Sequence, residues 1–297
     1  MNYLSDSSTA SNGSAKSDSK NNTSTEILCD DVLISLSNEG YIIHLPTSIF
    51  SCQHRGGRGV SIAKIHTEDY ITKLFTASEN TIIFCFTSFG RVFSFQTNMI
   101  LENGSYKQGL QIANFLLLEN GEKILTFLPI ISNAEDFYIL LATKQGLVQR
   151  TKFSEFSHIN TIDLYAMKLK ERDELVSVAL SNGNQNILLV TKHGMSIRFS
   201  EKDIREAKRY TSGVQCISLS DNDVVIGMAT ITDDSDILVI SENGMGKRTT
   251  LEEYKLQSRN GKGRSTYRVA QKTGPLVGIT LINDKKNVLI ISDSGKI

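Results

Sequence analysis

The sequence predicts an all-β fold of propeller-like repeats, and three observations carry that prediction. A hairpin pattern recurs along the chain, its turn glycines fall at near-constant intervals, and no segment sustains a helical hydrophobic period. The hairpins read DVLISLSNEGYIIHL (31–45), TIIFCFTSFGRVFSF (81–95), DFYILLATKQGLVQRT (136–151), QNILLVTKHGMSIRF (185–199) and DILVISENGMGKRTT (236–250). A partial copy, NVLIISDSGKI, stands at 287–297. Each is a β-branched and aromatic run, a short polar turn, a glycine and a second strand. The glycines Gly40, Gly90, Gly146, Gly194, Gly244 and Gly295 are spaced 50, 56, 48, 50 and 51 residues apart. Glycine suits the place because a tight hairpin turn calls for positive φ near its end, which a Cβ penalises.

A further apolar element follows each hairpin after a polar, basic connection: DYITKLFTA (69–77), GEKILTFLP (121–129), DELVSVAL (173–180), NDVVIGMAT (222–230) and GPLVGITLI (274–282). One repeat thus offers about four short strands, the size of a propeller blade. EKDIREAKRY (201–210) has room for a short helical turn and no more. The absence of Trp rules out the WD signature, and kelch-type glycine doublets do not recur. Periodicity supports a propeller-like array and stops there. The predicted blades are 31–80, 81–134, 135–184, 185–235 and 236–286, with an incomplete sixth at 287–297. Residues 1–26, rich in Ser and Asn with almost nothing to bury, are expected to form a disordered leader ahead of a single folded domain at 27–297.

Composition narrows the function. No apolar run approaches the roughly eighteen residues of a membrane helix, and the N-terminus lacks a signal or transit pattern. Cys29, Cys52, Cys85 and Cys216 lie far apart with no CxxC pair, and read as reduced thiols of a cytosolic protein. His44, His54, His66, His158 and His193 are equally scattered, so no metal site is expected. No Ser/His/Asp constellation and no nucleotide-cradling glycine loop is present, so neither catalysis nor a cofactor is expected. The net charge is zero, but residues 1–31 hold five acids against two lysines, which leaves the remainder at +3. Any nucleic-acid site must therefore be a local basic face.

One segment carries such chemistry: Gln53-His54-Arg55-Gly56-Gly57-Arg58-Gly59. Three glycines within four positions let backbone N–H groups approach a phosphate, and Arg55 and Arg58 supply charge. The segment resembles the box of the C-terminal DNA-wrapping domain of the bacterial DNA gyrase A subunit. That box reads Gln, basic, Arg, Gly, Gly, Lys or Arg, Gly; His54 is the one departure. NGMGKRTTLEEY (243–254) and QSRNGKG (257–263) resemble further parts of the same family, and the similarity spans about residues 28–297.

The resemblance implies a β-pinwheel, in which neighbouring blades exchange strands and duplex DNA bends around a basic rim. It implies non-sequence-specific binding, a wrap of positive handedness, and a part in negative supercoiling. The implied partners are double-stranded DNA, the gyrase A-subunit cleavage domain and the gyrase B subunit. The cleavage tyrosine and the ATPase lie elsewhere, so the chain is expected to be non-catalytic, monomeric in isolation, cytoplasmic and nucleoid-associated in bacteria. Four positions beyond each turn glycine stand His44, Ser94, Arg150, Arg198 and Arg248, equivalent strand positions on successive blades. The three arginines Arg150, Arg198 and Arg248, with Arg91, Lys152, Lys202, Arg205, Lys208, Arg209, Lys247, Arg259, Lys262, Arg264 and Arg268, are the expected DNA-binding rim. Tyr267 lies where it could touch DNA, with packing its expected role. Two other readings stay open: the C-terminal domain of the topoisomerase IV A-type subunit, and a propeller that binds proteins and has no DNA role.

Overall fold

Strands such as Tyr138–Thr143 (YILLAT) and Asn186–Thr191 (NILLVT) lack polar alternation because both of their faces are covered. The computed structural model describes residues 3–4, 31–45, 69–78, 80–103, 109–114, 116–130, 136–156, 164–232, 235–283 and 287–288. They form five antiparallel blades, distributed over two compact units. The first unit (1–80, 97–112 and 284–297) holds blade one; the second (81–96 and 113–283) holds blades two to five.

Every blade is built on a hairpin flanked by a third strand. In blade three, Tyr138–Thr143 pairs with Leu147–Lys152 on one side and with Leu175–Ser181 on the other. Blade four repeats this with Asn186–Thr191, Met195–Ser200 and Val225–Ile231. In four blades a two-residue fourth strand then arrives from the connection that follows the next hairpin in sequence. Leu110–Gln111 completes blade one, Leu164–Tyr165 blade two, Val214–Gln215 blade three and Arg264–Ser265 blade four. Strand exchange between neighbours is thus visible in the pairing itself. Among the described residues blade five has three strands: Gly246–Thr249, Asp236–Ser241 and Leu276–Ile282.

Within the second unit the sheets stack face to face. Ile139 and Leu141 pack with Phe84, Phe86 and Val92 of blade two, while the alternate residues Leu140 and Ala142 meet Ile187 and Leu189 of blade four. Leu188 and Val190 in turn meet Ile237 and Val239 of blade five. Full burial of each aliphatic or aromatic side chain contributes about 1.5–3 kcal/mol, so neighbouring blades stabilise one another. Cys85 and Cys216 are free and buried, and burial pushes the Cys216 thiol up to about 12.

Three details differ from the sequence reading. A seven-residue α-helix, Thr97–Asn103, follows the second hairpin of the chain, where the apolar pattern predicts only strands and turns. Of the leader, Tyr3–Leu4 pairs with Asn287–Val288, and the rest of 1–26 lies outside the described residues. The predicted sixth copy contributes only Asn287–Val288, so the described blades number five. No helix among the described residues is long and apolar enough to cross a membrane.

Candidate nucleic-acid interface

The turn glycines also receive the exchanged strands. The Gly194 carbonyl accepts from Thr266 N (2.8 Å) and Tyr267 N (3.2 Å), and Gly90 and Gly146 accept in the same way from Ala166 (2.8 Å) and Cys216 (2.9 Å). A Cβ at Gly194, where φ is +85°, would lie 2.1 Å from the Tyr267 carbonyl oxygen. Glycine is required there by positive φ and by close backbone approach together.

Buried hydroxyls and acids hold the same turns from below. In blade four, Thr191 Oγ1 donates to Asp223 Oδ2 (2.6 Å) and accepts from Met195 N (3.1 Å), while Asp223 Oδ1 accepts from His193 N (2.9 Å). Asp173 accepts likewise from Gln145 N (3.0 Å), and Asp69 from Glu39 N (3.0 Å). In blade two, Glu122 takes this place, bonded to the Thr87 hydroxyl and paired with Arg91 Nη1 at 2.8 Å. The hairpin pattern alone does not reveal this clamp. Its signal is an acid just ahead of the third strand in blades one to four, which emerges only when the repeats are stacked on Ser37, Thr87, Thr143 and Thr191.

The connections carry the exposed charge. From blade four the chain makes a 3-10 turn (Glu201–Asp203) and runs along blade three, where Ala207 N donates to Arg150 O (2.9 Å). From blade five it turns at Leu251–Glu253 and runs along blade four in the same register, with Gln257 N donating to Arg198 O (2.8 Å). Tyr210 (φ 58°) and Gly213 (φ 69°) in one copy match Asn260 (φ 66°) and Gly263 (φ 74°) in the next. A Cβ at Gly263 would lie 2.4 Å from Ser196 O, so this glycine too is set by backbone contact.

Residue by residue, the expected rim divides. Arg91 is only 2% exposed, its guanidinium committed to Glu122, Glu119 and the Leu117 carbonyl, so it is a core ion pair and not a rim cation. The recurring arginines do occupy equivalent positions, but they serve local structure. Arg150 lies over the Tyr138 ring at 4.7 Å, Arg198 Nη1 donates to the Leu251 (3.3 Å) and Tyr254 (3.1 Å) carbonyls, and Arg248 Nε pairs with Asp236 at 2.6 Å. Arg150 and Arg198 are half-buried because the following connection crosses them. Arg209 is half-buried near Phe156, and Arg259 donates to the Asp203 and Gln215 carbonyls (3.0 Å each). Lys152 pairs with Glu206 (3.4 Å), and Lys247 donates to the Thr266 carbonyl (3.1 Å).

Lys202, Arg205, Lys208, Lys262, Arg264 and Arg268 are exposed, and their side chains make no hydrogen bond or ion pair with a described residue. All six lie on the connections of blades four and five. Tyr267 is half-buried and packs against the core between those blades. His44 and Ser94 are respectively half-buried and buried. Gln53, His54, Arg55, Gly56, Gly57, Arg58 and Gly59 lie outside the described residues. Their sequence aligns with Gln257–Gly263 at Gln, Arg and two glycines, setting Arg55 opposite Arg259 and Arg58 opposite Lys262. No cluster of His, Cys, Asp or Glu that could hold a metal ion occurs among the described residues.

Strand-exchanged blades joined by cation-bearing connections define the class: a β-propeller-like domain. The chain belongs to the DNA gyrase C-terminal domain β-propeller family, whose model matches residues 31–78, 81–131, 138–182, 185–232 and 235–283. It is 37% identical over 271 residues to the DNA gyrase A subunit of Staphylococcus epidermidis and 35% identical over 266 residues to that of Escherichia coli K12. In both cases 90% of this chain is covered, and it spans 30% of the relative's length. A solved DNA gyrase A C-terminal domain superposes with a TM-score of 0.75 at 22% identity, covering 86% of this chain and 83% of that one. The C-terminal domain of DNA topoisomerase IV superposes at 0.66 with 21% identity, covering 86% and 78%. Both likenesses concern the fold.

Proposed function

We propose that this chain binds duplex DNA without sequence preference and wraps it with positive handedness along the exposed cations of its connections. The observation that carries the reading is the recurrence of one basic connection, in one register, over successive exchanged strands. Phosphates repeat along a duplex, and a repeated cation-bearing loop is complementary to that spacing. Bending 20–30 bp by 40–90° costs on the order of 1–6 kcal/mol, which several phosphate contacts acting together offset. The chain itself performs no bond chemistry in this reading. It serves a gyrase holoenzyme, with the A-subunit cleavage domain and the B subunit, in the bacterial cytoplasm at the nucleoid. The Gln53–Gly59 box belongs to this reading as a further basic segment, its Arg55 and Arg58 supplying charge for phosphate.

Salt dependence tests this. Neutralising six to ten phosphates makes affinity fall about 10³–10⁵-fold between 50 and 200 mM salt. A Lys208→Ala, Lys262→Ala, Arg264→Ala, Arg268→Ala variant should lose about one unit of slope per contact removed, with sequence preference unchanged. Arg150→Ala, by contrast, should lower stability and leave the slope unchanged. A parent that binds duplex without salt dependence contradicts the reading, and one that does not bind duplex at all returns the protein-interaction alternative.

A further inference from the structure

We propose that Tyr165 and Tyr210 form a second kind of DNA contact, packing on sugars and base edges where the duplex bends. The inference rests on the DNA-binding reading above. Tyr210 is a bulky residue held at φ 58°, in the left-handed region where such side chains are outliers. The equivalent residue of the next connection is Asn260 at φ 66°, a type that tolerates this backbone. Tyr210 therefore carries a local strain that asparagine relieves, and its ring does not recover that strain by burial. It is 55% exposed, and Tyr165 beside it is 45% exposed.

The backbone fixes the pair. Tyr210 N donates to the Ala166 carbonyl (3.1 Å) and Lys168 N to the Thr211 carbonyl (2.9 Å), so the two connections meet at this point. The rings lie 5.4 Å apart at 53°, and Lys168 Nζ stands 5.9 Å from the Tyr210 ring centre. Lys168 is exposed beside them, and Lys170 and Lys208 are exposed on the same two connections. An exposed aromatic pair with a lysine beside it, on lysine-bearing connections, matches a polyanion that also offers flat apolar faces. Duplex DNA does so at bent steps, where partial unstacking opens base edges and sugar faces to side-chain wedges.

The test separates ring contact from charge contact in the full chain. Tyr210→Asn should raise Tm, because strain is relieved, yet weaken duplex binding roughly five- to tenfold, with the salt slope unchanged. Tyr210→Phe should bind like the parent. Lys168→Ala should instead lower the slope by about one unit. The chain has no tryptophan, so Tyr210→Trp places a single reporter at the site, and duplex should quench or shift its emission. Parent-like binding by Tyr210→Asn, a loss of slope in that variant, or silent Tyr210→Trp emission on saturation with DNA would each overturn the inference. Failure of the parent itself to bind duplex would remove the DNA reading, and this contact with it.

Discussion

Blades four and five have nearly the same hairpin, but the described residues hold the two turns differently. In blade four the turn is clamped by Thr191 and Asp223, and its glycine is capped by the exchanged strand at Thr266 and Tyr267. In blade five Gly274 stands one place before Pro275 and Leu276, where blade four has Asp223 before Val224 and Val225. Main chain replaces the lost carboxylate: Asn243 N donates to the Thr273 carbonyl (3.2 Å), and Asn243 Nδ2 to the Lys272 carbonyl (3.0 Å). The Ser241 hydroxyl is buried without a partner among the described residues, and no described atom lies within 4 Å of a Cβ built on Gly244. The difference teaches that the repeat is a cooperative unit. In blade four a hairpin, its acid and the next repeat's strand act together, whereas among the described residues blade five holds its turn through main-chain and Asn243 contacts.

Paired substitutions can break this comparison. The largest effect is expected from alanine at the turn glycines. Gly194→Ala meets both positive φ and the Tyr267 carbonyl, and should cost about 3 kcal/mol in urea unfolding. Gly244→Ala meets positive φ alone and should cost about 1 kcal/mol. Equal costs would show that the exchanged strand adds nothing to the turn. A smaller contrast is expected below the turns. Thr191→Val removes a hydroxyl that both donates and accepts, and should cost about 1–2 kcal/mol. Ser241→Ala removes an unpartnered hydroxyl and should stay within about 0.5 kcal/mol of the parent. A large loss from Ser241→Ala would mean that blade five has a clamp of its own.

The hairpins are legible in the sequence because their signal is local. A continuous apolar run, a polar turn and a glycine state strand, turn and positive φ within fifteen residues, and Gly40, Gly90, Gly146, Gly194 and Gly244 all take positive φ. Strand exchange leaves no such signal, since Leu164–Tyr165 or Val214–Gln215 are two residues long and have no period to read. Only the family resemblance supplies it. The arginine recurrence at Arg150, Arg198 and Arg248 is legible as a register, but its exposure is not. Whether a strand arginine meets solvent depends on a connection some fifty residues further on, which crosses Arg150 at Glu206 and Arg198 at Leu256. Arg91 misleads for the same reason, because its partner Glu122 is remote in sequence. Exposed charge at Lys202, Arg205, Lys208, Lys262, Arg264 and Arg268 lies on those connections, at positions that the sequence reading proposes for DNA contact.

The central claim is that a repeated basic connection wraps DNA, and ligation of nicked circular duplex in the presence of the chain tests it most directly. After the protein is stripped, linking number should exceed that of the protein-free control, and the rise should shrink as Lys208, Lys262, Arg264 and Arg268 are neutralised. An unchanged linking number at saturating protein would contradict the claim.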